Sequence, residues 1–248
     1  MSLDPTGADT LLLVPGLMCD AAVWQLVLPA LSSGRTCQVV DHGDADALDQ
    51  MARQLLHAAP PRFALAGHSM GARVALEVLR QAPERVSRVA LLDTGYLARS
   101  TGAAGEEETR KRLALLEVAC QQGVRAMAMQ WVRGMVHPQR LKDTVLLEAI
   151  VTMFERKTAE TFARQLRALL QRPDASGVLR TIHVPALVMC GRQDTWAPVT
   201  QHEAMCALIP GAQQKVVEDA GHMAPMEQPQ AVAAMLLHWL NLQPIQSP

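Results

Sequence analysis

Aromatic residues make up only 3% of the 248-residue chain, with a single tyrosine and three phenylalanines. Neither sign of charge dominates: 23 Lys and Arg stand against 24 Asp and Glu, a net charge of −1. No Lys/Arg-rich run stands out, so nucleic acid and acidic lipid surfaces have no electrostatic footprint to meet. Long apolar runs are missing as well. Crossing a bilayer takes about 18 or more uncharged apolar residues, and even the Val145–Phe154 stretch is interrupted by Glu148. The five cysteines (Cys19, Cys37, Cys120, Cys190, Cys206) are scattered, odd in number and never spaced as Cys-x-x-Cys. That pattern argues against a disulfide framework or a zinc site and for reduced thiols. Met1 to Thr10 carry Asp4 and Asp9 without a basic region, and Pro15 cuts the first apolar run, so no signal peptide is expected. Gly-x-Gly-x-x-Gly and Gly-x-x-x-x-Gly-Lys do not occur, which leaves dinucleotide and P-loop chemistry unsupported. The expectation is a cytoplasmic globule with no membrane span, no metal, no cofactor and a small molecule as partner.

What is present fits that frame. Hydrophobic residues at 49% and charged residues at 19% are near globular averages. A chain of this length can bury roughly 70% of its unfolded surface and needs no staples. Short apolar runs alternate with amphipathic stretches, the signature of a parallel sheet covered by helices. The runs are Thr10–Val14, Cys37–Asp41, Arg62–Ala66, Arg88–Asp93, Ala186–Cys190 and Gln214–Glu218. Most are near-continuous hydrophobics, as in strands buried on both faces. Val74, Ala75, Val78, Leu79 and Ala82 predict a helix after Gly71, and Val232, Met235, Leu236 and Trp239 another after Pro229.

From about Tyr96 to Ile182 no strand signal occurs. Four helical patterns follow one another there, opening at Glu106–Glu108 and continuing at Val124–Trp131, Leu147–Phe154 and Phe162–Leu170. The Gly102–Gly105, Gly134–Pro138 and Pro173–Gly177 stretches are expected to break them. The layout predicts a core of residues 1–95 and 184–248, with a helical insertion at 96–183.

The sharpest local signal is Gly67-His68-Ser69-Met70-Gly71, placed between an apolar run and an amphipathic helix. The bare Gly-x-Ser-x-Gly pattern arises by chance about one time in ten in a chain this long. The strand before and the helix after it make it more specific. Such a strand-to-helix turn lifts the serine Oγ above the sheet, and its glycines leave room for the tight turn. A serine nucleophile needs a base, and the base an orienting acid. Asp194 follows one apolar run and His222 follows the next, so all three lie just past strand ends, where open α/β sheets place their sites. Taken singly, Asp194 could cap a helix and His222 could bond to backbone. Asp93, at the end of the Val89–Leu92 run, is a second candidate acid.

These segments resemble the α/β-hydrolase fold family, whose chain order is nucleophile, acid, histidine. The resemblance rests on Pro15-Gly16-Leu17, Gly67-His68-Ser69-Met70-Gly71, Gly191-Arg192-Gln193-Asp194 with Pro198, and Gly221-His222-Met223 followed by Glu227-Gln228-Pro229. It implies an α/β-hydrolase fold with a helical lid where residues 96–183 lie. With nine residues before the first run, the sheet is expected to have six mostly parallel strands rather than the family's eight. By resemblance Ser69 is nucleophile, His222 the general base and acid, and Asp194 the orienting carboxylate. The backbone N–H groups of Leu17 and Met70 form the oxyanion hole. Many relatives carry His-Gly where this chain has Pro15-Gly16, so the usual support of that loop is missing. Asp41-His42-Gly43-Asp44 departs from the Arg-Gly-His-Gly loop of relatives and is assigned no role.

The implied activity is that of a serine esterase cleaving a small, mainly apolar carboxylic ester through an acyl-enzyme. Lactone, thioester and carbon–carbon bond hydrolysis use the same triad, and a receptor without turnover can share the fold. Serine at the elbow argues against the dehalogenase and epoxide-hydrolase branches, and Met223 after the histidine argues against the carbon–carbon branch. Ser69 is expected at positive φ, with Oγ roughly 2.6–3.2 Å from His222. Uncharged acyl chains are expected, because no cationic cluster is evident in the helical stretch. Trp131, Phe154 and Phe162 are expected to pack that stretch's own core. Cys19 is read as a buried structural thiol, and His42, His57, His137, His183, His202 and His238 as ordinary histidines.

Overall fold

A computed structural model describes residues 10–243; residues 1–9 and 244–248 of the expected core lie outside the described residues. The chain runs β1 (Thr10–Val14), α1 (Leu28–Leu31), β2 (Cys37–Val39), α2 (Leu48–Ala58), β3 (Phe63–His68), α3 (Met70–Gln81) and β4 (Val86–Leu92). Then come α4 (Gly102–Gln122), α5 (Val124–Trp131), α6 (Thr144–Glu155), α7 (Ala159–Leu170) and α8 (Ser176–Arg180). The second half of the sheet follows with β5 (Ala186–Gly191), α9 (Val199–Leu208), β6 (Gln213–Val217), α10 (Ala224–Glu227) and α11 (Pro229–Leu240).

The six strands pair in the order β2-β1-β3-β4-β5-β6, and every pairing is parallel. Each expected run forms a strand, with ends moved by a few residues. β3 extends to His68, so the sheet delivers the chain directly to Ser69. Leu11, Leu13, Leu65, Val89, Leu91 and Val188 are completely buried because helices cover both faces. The strand order reverses direction between β1 and β3. The loops after those two strands therefore diverge and open a crevice at the carboxyl edge. Among the described residues no helix is long and apolar enough to cross a membrane.

Between β4 and β5 the chain is helical, as its periodicities predict, with two corrections. Gly102–Gly105 is not a break but the first turn of α4, since Ala103 and Ala104 are strong helix formers that carry the turn into the acidic run. The Pro173–Gly177 stretch breaks the chain only partly and then opens a further short helix, α8. Gly134–Pro138 does interrupt the helices, leaving 3₁₀ turns at Val132–Gly134 and Pro138–Lys142.

Candidate active site

The turn from β3 into α3 is tight enough to exclude side chains at both flanking glycines. A Cβ on Gly67 would lie 2.5 Å from the Ala72 Cα, and one on Gly71 would run into the Val14 carbonyl. Between them Ser69 takes φ 55 and ψ −117, a conformation costly for any residue with a side chain. Its backbone is held on both sides: Ser69 N–H donates to Leu92 O at 2.8 Å, and Thr94 Oγ1 donates to Ser69 O at 2.9 Å.

Ser69, Asp194 and His222, far apart in the chain, meet here. His222 Nε2 lies 2.8 Å from Ser69 Oγ, and His222 Nδ1 lies 2.8 Å from Asp194 Oδ2. The other Asp194 oxygen accepts from Trp196 N–H at 2.9 Å and Ala197 N–H at 3.0 Å. Burial by itself would raise the Asp194 carboxyl. The His222 charge and hydrogen bond, with those two N–H groups, bring it below the usual carboxylate range. Asp93 is placed differently. It is completely buried, accepts from Gly191 N–H at 2.9 Å through Oδ1, and its Oδ2 has no hydrogen-bond partner. Burial first, then the Asp194 charge, pushes its carboxyl well above the usual range and favours the neutral acid.

Leu17 and Met70 both border the cavity that contains Ser69. Among the described residues neither backbone N–H has a hydrogen-bond partner, so both are open to a ligand oxygen. The Pro15-Gly16 loop lacks the usual His-Gly pair, and other residues support it. His42 Nε2 donates to Pro15 O at 2.8 Å, and Met18 N–H, in a residue at φ 60, donates to Gln165 Oε1 at 2.8 Å. His42 is buried and is held below its usual value mainly by that burial, so it acts as a neutral donor. His42 thus has a positioning role that the sequence reading denied it.

Other supporting residues were also missed. His68, the variable residue of the elbow motif, donates from Nε2 to the His222 carbonyl at 2.8 Å. Burial and the neighbouring His222 push it down to about 3, so it stays neutral. Glu227 spans two segments: Oε1 accepts from Gly221 N–H at 2.8 Å and Oε2 from His137 N–H at 2.6 Å. His222 N–H itself donates to Met135 O at 2.6 Å, so the histidine loop is bonded to the helical insertion. Trp196 lies 4.9 Å from the His222 ring and stacks on Trp131 at 5.6 Å. No periodicity or motif points to these contacts. The Glu227-Gln228-Pro229 string was the only signal, and it carried no role. Cys19 is a buried thiol as expected, pushed up to about 12 by burial and then by Asp20.

The cavity has a volume of about 570 Å³. Two expectations about its wall are corrected. Trp131, Phe154 and Phe162 pack on one another with ring centroids 5.5 Å apart, yet all three also line the cavity. A cationic cluster is present as well: Arg73, Lys111, Arg112 and Arg172 border the same space. Arg73 and Arg172 stand outside the first helical patterns of the insertion, on α3 and just past α7. The packing of α4 against α7 brings Arg112 and Arg172 onto one carboxylate, Glu108, beside the same cavity that Arg73 borders.

A strained serine hydrogen-bonded to histidine, and histidine to a buried carboxylate, is the geometry that a nucleophile with its base and orienting acid requires. Residues 11–235 match the Alpha/beta hydrolase family. The chain belongs to that family. Among relatives of this α/β-hydrolase, a dihydrolipoyllysine-residue acetyltransferase component of an acetoin cleaving system from Pseudomonas putida is 28% identical over 253 residues. That match covers 95% of this chain but 64% of the relative, so the hydrolase spans less than two thirds of that protein. A pimeloyl-acyl-carrier-protein methyl ester esterase from Nitrosomonas europaea is 26% identical, covering 89% of this chain and 91% of the relative. Among solved structures, a thermophilic esterase from Thermogutta terrifontis superposes with a TM-score of 0.81 at 26% identity, covering 94% of this chain and 89% of that one.

Proposed function

We propose that this hydrolase cleaves the carboxylic ester of a small substrate through an acyl-enzyme on Ser69. The observation that carries the reading is the unbroken relay Ser69–His222–Asp194, with 2.8 Å at each link and its serine facing the cavity. Two relatives named as esterases support ester over other acyl bonds. His222 Nε2 takes the Ser69 proton as Oγ attacks the carbonyl carbon. The N–H groups of Leu17 and Met70 hold the oxyanion, each worth on the order of 10²–10³ in rate. His222 then returns the proton to the leaving alkoxide, and water, deprotonated by the same ring, releases the acid. Residues 96–183 act as the lid of the pocket, and the unpaired cysteines fit a cytoplasmic setting.

The decisive experiment is a fluorophosphonate probe followed by turnover of a short nitrophenyl ester. A single stoichiometric mass shift on the Ser69 peptide, with matching loss of esterase activity, is the expected result. Labelling elsewhere, or no turnover of any ester, overturns the reading.

The loop bond from Met18 to Gln165 makes a second expected outcome. Gln165→Leu keeps much of the side-chain volume but leaves a buried N–H unsatisfied, at a cost of about 1–3 kcal/mol. If half of that is felt at the oxyanion loop, kcat falls about two- to tenfold with KM little changed. Steady-state kinetics with the folded variant check this, and an unaltered kcat removes Gln165 from the positioning of the loop.

A further inference from the structure

Of the three guanidinium groups in the wall of the cavity, two share one carboxylate. Arg172 donates to both Glu108 oxygens at 2.8 Å, and Arg112 Nε donates to Glu108 Oε1 at 2.9 Å. Lys111 turns outward toward Glu107 at 3.5 Å, with 70% of its side chain exposed. Arg73 has no such partner. Among the described residues no carboxylate lies within ion-pair distance of it, and its one hydrogen bond is from Nη1 to Leu97 O at 3.1 Å. The Arg172 Nε is buried without any partner.

Arg73 is also badly placed for structural ends. It sits four residues after Ser69, in the first turn of α3, where the helix dipole disfavours a cation. A partly buried cation that no carboxylate reaches at ion-pair distance, with Glu108 and Asp174 acting on it only from farther off, is a cost that folding alone does not explain. It is explained by a ligand that brings the missing anion. Burial, and next the Arg172 charge, push Arg73 down to about 9, so it remains cationic at neutral pH. Trp131, Phe154 and Phe162 line the same cavity and supply apolar wall.

From this arrangement we infer that the substrate carries a carboxylate at the end remote from its ester, held by Arg73 with Arg172 and Arg112 as flanking charges. The inference rests on the serine-esterase reading and names its substrate class: a short apolar acyl chain with a second, free carboxylate. A planar guanidinium suits that group because its N–H donors match a carboxylate in pairs. Lys111 lies at the mouth and adds to the field that draws the anion in.

The test compares methyl half-esters of straight-chain dicarboxylic acids, four to eight carbons long, with methyl esters of monocarboxylic acids of equal length. The expected kcat/KM ratio favours the half-ester by tenfold or more at one or more chain lengths, and shrinks as salt rises. Arg73→Gln and Arg172→Gln should each lower that ratio toward one, with Arg73→Lys keeping an intermediate value. Hydrolysis of both series at equal rates by the unaltered protein overturns the inference while leaving the esterase reading standing. Absence of hydrolysis in both series, without Ser69 labelling by the fluorophosphonate, overturns both. The wild-type ratio and its salt dependence decide the matter even if an arginine variant does not fold.

Discussion

Ser69→Ala is expected to lower kcat on the order of 10⁶, the cost of removing the nucleophile from a serine triad. The remaining rate over water, about 10³–10⁴, comes from the oxyanion donors and substrate binding. A companion measurement checks the strain. Ser69→Gly should be as inactive as the alanine variant but melt at a higher temperature, because glycine adopts φ 55 freely and alanine does not. Activity within a hundredfold of the unaltered enzyme in Ser69→Ala would move the nucleophile elsewhere.

Asp194→Asn is expected to lose about 10⁴ in turnover while staying folded. The structure gives the reason at the level of one proton. The Trp196 and Ala197 N–H groups both point at Asp194 Oδ1, so an asparagine keeps its oxygen there and turns its NH₂ toward His222 Nδ1. His222 must then accept at Nδ1 and carry its proton on Nε2, facing Ser69, where it can no longer take one. Asp93→Asn should keep activity, since its oxygen still accepts from Gly191 N–H.

The two acids also differ in their pH linkage. Asp194, lower in the fold than its ordinary value, contributes stability above that value and loses it as pH falls through the folded pKa. Asp93, raised in the fold, does the reverse: it costs stability as pH climbs from the ordinary carboxylate pKa to its raised one. The melting temperature of Asp93→Asn should therefore gain on the unaltered protein as pH climbs above the ordinary carboxylate pKa of about 4. A constant difference over that climb would place an ionised carboxylate at Asp93.

Much of the site was readable because its key parts are local. Ser69 and its glycines make one pentapeptide, and Asp194 and His222 each follow a six- or five-residue strand. Position after a strand in a parallel sheet means position at one edge, whatever the loops do. The residues alone left Asp93 and Asp194 both open, since both follow neighbouring strands, and the family resemblance is what favoured Asp194. The choice turns on Asp93 being completely buried beneath the Gly191 N–H while Asp194 lies bonded to the imidazole.

Short apolar runs alternating with amphipathic stretches, and the elbow motif, determined the α/β class and the six-strand parallel sheet and placed Ser69, Asp194 and His222 just past strand ends. These are properties of segments shorter than about twenty residues, where the length of an apolar run and turn chemistry act directly. Tertiary structure alone decided what holds the site and what fills it. His42 reaches Pro15, Gln165 reaches Met18 across 147 residues, His68 reaches the His222 carbonyl across 154, and Arg73 joins Arg112 and Arg172 around the cavity. Such contacts depend on which faces of distant helices meet, and no local pattern encodes that meeting. A charge that looks solvated along the chain becomes a partly buried cation beside a cavity, without a carboxylate at ion-pair distance, only when the helices close over it.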